Sequence, residues 1–185
     1  LASGQSHVPG FINVDGTGYF ESSSIKPDLR INLASGLPFT KHSASVVYCS
    51  HFLEHLYFLT EAVPFLKEIY RVLEPGGTVR VVVPDMATLL RAYVENNTDV
   101  LDSRRNIWSD WNWESYGTNL PSILPYAGVL EAPHMGSSQR LHRYGYDYET
   151  LHLTLARIGF VEITRQSFEK SSRSDLAECD RYSAE

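Results

Sequence analysis

Two rhythms of apolar residues run along this chain. Continuous apolar runs such as "SVVYCS" (Ser45 to Ser50) and "TVRVVVPD" (Thr78 to Asp85) are short and β-rich, the pattern of strands covered on both faces. "FINVD" (Phe11 to Asp15) and the alternating "LRINL" (Leu29 to Leu33) read as two earlier strands, and "ASGLPF" follows as a turn. Between the two apolar runs, "LTEAVPFLKEIYRVL" has the helical period, with Val63, Leu66, Ile69, Tyr70 and Leu73 on one face. Thr60 is its predicted N-cap, Glu61 lies at its positive end, and Pro64 falls early enough to lose little by lacking an N–H. "EPGG" (Glu74 to Gly77) stops it. "MATLLRAYVENN" predicts a helix ending at Asn96 and Asn97. "YDYETLHLTLARIG" predicts another closed by Gly159, with "FVEITRQS" as a strand after it.

Strand and helix alternate, which predicts an α/β fold: a doubly wound, mostly parallel Rossmann-like sheet with helices on both faces. Ligands of such sheets bind beyond the carboxyl ends of the strands, so the residues just after each strand carry the information. From Asp102 to Tyr146 the periodicity lapses. This stretch holds Trp108, Trp111, Trp113, Tyr116, Tyr126, Tyr144 and Tyr146. A segment of that length in one domain reads as an inserted aromatic cap on the substrate side. Residues 1–185 are therefore read as one domain, with 102–146 as the cap.

Composition narrows the classes. The 185 residues are 43% hydrophobic and 21% charged, enough for one domain with a real core. A formal net charge of −6 argues against a broad nucleic-acid surface, and no apolar run approaches a membrane span. Cys49 and Cys179 lie far apart and form no CxxC. Cys49, in an apolar run, reads as a buried thiol, and the two cysteines point to a reducing, cytoplasmic setting.

Taken in order, these pieces resemble class I S-adenosylmethionine-dependent methyltransferases. "LASG" (Leu1 to Gly4) looks like the end of the first strand and its glycine loop, and "NVD" places Asp15 at the end of the second strand. "INLASGLPF" resembles the segment around the third strand. "SASVVYCSHFLEHL" resembles the fourth strand and its turn, and "FLKEIYRVLEPGGTVRVVVPD" the helix, stop and fifth strand. The resemblance implies S-adenosylmethionine as cofactor, held by Ala2, Ser3, Gly4, Asp15, Asn32, Leu33, Ser50 and His51. Each role has a physical reason. Gly4 lets backbone approach the ligand, and Asp15 can accept ribose hydroxyls. Asn32 and the Leu33 backbone face the adenine edge, while Ser50 and His51 face the methionine end. The chain departs from the family in a glycine loop reduced to Gly4 and Gly10 and in an opening strand of almost no length, so residues are expected to precede Leu1. The tail "ECDRYSAE" does not read as the family's closing antiparallel strand.

"HFLEHL" also resembles the H-x-x-E-H motif of inverted zinc peptidases, with His51 and His55 on one Zn²⁺, Glu54 as general base and Glu131 as third ligand. The motif follows a buried strand directly, Glu131 sits in "LEAPHMG" beside a proline, and the chain is much shorter than those peptidases. No zinc at His51 and His55 is therefore expected. Glu54 and His55 should instead begin a short helix that Leu53 and Leu56 pack on the sheet, with His55 structural.

Methyl transfer to a small-molecule acceptor, on oxygen or nitrogen, is the expected activity. A general base is needed only where the nucleophile must lose a proton. His51 is the first choice, fixed by its strand end, with His134, His142 and Tyr144 behind it. Arg140, His142, Arg143 and Tyr144 could bind a phosphate or carboxylate on the acceptor. A non-catalytic cofactor-binding module is the alternative, motivated by the reduced glycine loop. A nicotinamide-dependent oxidoreductase lacks its G-x-G-x-x-G after a strand.

Overall fold

The computed structural model describes residues 1–3, 7–16, 26–107, 142–167, 170–171, 173–177 and 179. Its centre is a parallel strand–helix–strand unit. The apolar run forms β3 (Ala44–Ser50), pairing in parallel with β4 (Leu73–Val82) from Val46↔Thr78 to Ser50↔Val82. Between them lies α1 (Val63–Val72), which buries Phe65, Leu66, Ile69 and Val72 on the shared core. Val47 and Cys49 are buried, whereas Val46 and Tyr48 are half-buried, so among the described residues β3 is covered fully on one face only. Burial pushes the Cys49 thiol up to about 12, which keeps it inert.

The helix departs from the predicted pattern at its start and on its face. The chain is already helical at Phe58, through one π-helical turn (Phe58–Ala62), so Thr60 lies inside the turn and is not the cap. The reach-back is made by Glu61, whose carboxylate accepts the Tyr57 N–H at 2.9 Å. Pro64 enters the first α-helical turn, where its missing N–H is harmless. The buried face runs through Ala62, Phe65, Leu66, Ile69, Val72 and Leu73, so Phe65 is buried in place of Tyr70. Tyr70 instead meets Phe160 edge-on. "EPGG" does end the helix, but Leu73 already pairs with Ala44, and Glu74–Gly77 are absorbed by a register shift. Gly77 is required there, because a Cβ would stand 2.9 Å from the Glu74 carbonyl and 3.2 Å from that of Ser45.

The two earlier strands are shorter than expected: β1 is Val14–Asp15 and β2 is Leu29–Arg30, paired in parallel. Leu33 has left the strand for a 3₁₀ turn (Leu33–Ser35). The opening residues link the two pairs. The Ser3 N–H donates to Val14 O at 3.1 Å and Leu1 N to Tyr48 O at 2.6 Å. Leu1–Ser3 thus lies between β1 and β3, in the place expected of a first strand.

Beyond β4, α2 (Met86–Val94) is capped by Asp85, which accepts the Ala87 N–H at 2.9 Å. It packs with α3 (Thr98–Ile107) around Met86, Leu89, Ala92 and Leu101. Asp102 is therefore helical where the sequence periodicity lapses; residues 108–141, with the tryptophans and most of the expected cap, lie outside the described residues. α4 (Tyr148–Ile158) starts at the Asp147 cap and ends at Gly159, whose φ of +119° a side chain would resist. "FVEITRQS" is not a strand. Val161 is 81% exposed and Glu162 has a φ of +53°, which breaks the alternation a ladder needs. A short helix, α5 (Ser174–Ala177), follows. No described helix is long and apolar enough to cross a membrane.

Candidate active site

The parallel pairing brings the carboxyl ends of β1 and β2 together, and those of β3 and β4, with Ala2 and Ser3 between. Asp15 ends β1 at 9% exposure, and one of its carboxylate oxygens accepts the Gly16 N–H at 2.6 Å. Asn32, exposed after β2, uses its Oδ1 to cap the 3₁₀ turn through Ala34 N at 3.1 Å. That is the turn-forming role, and it leaves the amide nitrogen as the group that can face a base. The Leu33 side chain is core, so only its backbone can serve a ligand. Ala2 has a φ of +52°. Gly4 lies outside the described residues.

Ser50 closes β3 and is half-buried. His51 follows with a φ of +50°, its N–H held by Val82 O at 2.9 Å. A left-handed histidine is uncommon, and this one turns the chain sharply off the sheet so that its ring, 30% exposed, stands at the rim. The next residues form a 3₁₀ turn, Leu53–His55, with Leu53 and Leu56 buried beneath it as the sequence indicates. His51 is thus at a strand–turn junction and not on a helix face with His55.

The turn also buries Glu54, at 1% exposure. Neither carboxylate oxygen has a hydrogen-bond partner among the described residues; His51 Nδ1 stands 3.4 Å from Oε1. The Glu54 carbonyl accepts the N–H groups of Arg143 and Tyr144, which fastens the segment 142–146 across the turn. Met86 N–H to Tyr146 O, at 2.8 Å, fixes its far end beside β4. His142 is buried as a result, its ring edge-on to His55 with centroids 4.9 Å apart. Arg143 lies over the Tyr57 ring at 4.9 Å, and Tyr144 stacks on Phe58 at 4.5 Å. Tyr146 is buried beside them. Burial, then the nearby Glu54 charge, holds its hydroxyl above the ordinary phenol range.

The structure therefore sorts the expected residues. Ala2, Ser3, Asp15, Asn32, Ser50 and His51 sit at strand ends, and His142, Arg143 and Tyr144 line the turn after His51. Arg140, His134 and Glu131 lie outside the described residues. Sequence reasoning missed the grouping of Glu54, His55 and His142. The "EH" pair was visible, but nothing local points to a partner so distant in the chain.

A family model described as "Methyltransferase domain" matches residues 17–81. The match takes in β2, β3, α1 and β4 short of its last residue, with Asn32, Leu33, Ser50, His51, Glu54 and His55. It supports a class I S-adenosylmethionine-dependent methyltransferase, the class that the ordered motifs resemble. No curated protein and no solved structure matches the chain.

Proposed function

We propose that this chain binds S-adenosylmethionine across the ends of its parallel strands and passes the methyl group to a small-molecule acceptor, on oxygen or nitrogen. The observation that carries the reading is the placement of Asp15 at the end of β1, beside the opening residues and one turn from Asn32. Asp15 takes the ribose hydroxyls, and Asn32 with the Leu33 backbone takes the adenine edge. Ser50 and His51 face the methionine end. The acceptor approaches from the side of His142, Arg143 and Tyr144, in the segment 102–146 that the sequence reads as the substrate cap. S-adenosylmethionine, when bound, would supply an electrophilic methyl group for in-line displacement by the acceptor's nucleophilic atom, with S-adenosylhomocysteine as the leaving group. Where the nucleophile carries a proton, the His51 ring at the rim receives it. The rest of the work is alignment and exclusion of water.

Calorimetry with S-adenosylhomocysteine tests the assignment. Asp15→Ala is expected to weaken binding by about tenfold or more, since charge-assisted hydrogen bonds are lost. Unchanged affinity would remove Asp15 from the site. Cofactor binding without turnover of labelled S-adenosylmethionine on any acceptor would favour a non-catalytic module, the reading motivated by the reduced glycine loop.

A further inference from the structure

We infer that Glu54, His55 and His142 form a binding site for one divalent transition-metal ion of the zinc type. Three observations converge. One ligand atom from each of the three residues lies within 4.8 Å of the other two. Three ligands on one ion stand about 3.0–3.5 Å apart, for metal–ligand bonds of about 2.0–2.2 Å. Small side-chain rotations close that difference. Second, Glu54 is 1% exposed and both its oxygens are buried without hydrogen-bond partners, while no Lys or Arg pairs with it among the described residues. A carboxyl group in that setting is costly, and a bound cation would relieve it. Third, the scaffold is fixed on both sides. The Glu54 carbonyl takes two N–H groups from the His142 segment, and Leu53 and Leu56 anchor the turn below. A metal site needs its donors held in this way.

Two imidazoles and one carboxylate are the donor set of zinc-type ions; calcium and magnesium prefer oxygen throughout. Three protein donors leave at least one position for water or a ligand heteroatom. The set differs from the H-x-x-E-H peptidase arrangement, because His142 replaces His51 and Glu54 becomes a ligand. The inference does not depend on methyl transfer.

The test uses tag-free full-length protein stripped with a chelator. It is titrated with Co²⁺, read by visible absorption and calorimetry, and then challenged with Zn²⁺. One ion per chain is expected, displaced by zinc, with a rise in melting temperature on loading. Glu54→Gln and His142→Ala should each weaken binding by more than about tenfold, and His152→Ala, on α4, should leave it unchanged. Circular dichroism checks the fold. Should His142→Ala fail to fold, the near-isosteric Glu54→Gln decides. Absence of stoichiometric binding, or the same affinity in Glu54→Gln as in the parent, overturns the site. S-adenosylhomocysteine binding, measured on the same samples, bears on the methyltransferase reading alone.

Discussion

Two glutamates, each three residues from a basic side chain, have opposite surroundings. Glu68, on α1, meets a full set of donors. Arg71 grips both its oxygens at 2.8 Å, and the Leu37 N–H adds a third bond at 3.1 Å. Arg71 also donates to the carbonyls of Phe39 and Leu37, so the pair clamps the Leu37–Phe39 loop to the helix. Glu54 lies deeper, and neither of its oxygens takes a hydrogen bond from its basic neighbours His51, His55 and His142. The same spacing thus serves a closed structural clamp in one place and an open, unsatisfied acceptor in the other. Stability explains the first arrangement. The second is retained at a cost, which points to a ligand.

The largest effect that would separate the two regions is removal of the floor under Glu54. Leu53 is fully buried, and Leu53→Ala is expected to cost about 2–5 kcal/mol in urea unfolding. A cost below about 1 kcal/mol would mean that something else holds the turn. Next comes the direct exchange of each acid for its amide in metal-free protein. Glu68→Gln should lose about 1 kcal/mol, because three donors are left poorly matched at a partly exposed site. Glu54→Gln should stay within about 0.5 kcal/mol of the parent or exceed it, because no donor bond is lost. Equal losses in both variants would erase the contrast.

The smallest effect is a pH dependence confined to the clamp. Hydrogen bonds from Arg71, then that from Leu37, hold the Glu68 carboxyl at about 2, below its ordinary 4.5. The folded state therefore releases the proton more readily than the unfolded chain does. The resulting stability is complete above about pH 4.5 and drains away as pH falls toward 2. Because the group is partly exposed, solvent screening limits the loss to about 1 kcal/mol. Glu68→Gln should flatten this part of the acid-unfolding profile, and an unaltered profile would show that the clamp does not report in this range.

Much of the central unit is legible in the sequence. β3, the α2 and α4 helices and the Gly159 stop follow from local pattern, because each is decided by neighbours within a few residues. The misread details each involve a backbone event that pattern does not encode. A π turn displaced the start of α1, and its buried face takes in Phe65 where the pattern pointed to Tyr70. A left-handed Glu162 removed the strand expected after α4. At the candidate site, the positions of Asp15, Ser50 and His51 at strand ends could be read from the sequence, because each directly follows or closes an apolar run. The Asn32 cap required the turn geometry, since the same amide suits a cap or an adenine. The meeting of Glu54, His55 and His142 depends on the Glu54 carbonyl accepting Arg143 and Tyr144, a long-range pairing with no periodic trace.

That double-acceptor carbonyl has a consequence for how the molecule acquires its site. The unit from Ala44 to Val82 brings together strands close in sequence and can form with little loop to close. The strap at His142 must wait for the chain to return, and its closure entropy is met late. Loop closure therefore predicts that the rim around Glu54 is completed late on folding. Amide exchange at Arg143 and Tyr144 is therefore expected to be faster than in β3, α1 and β4.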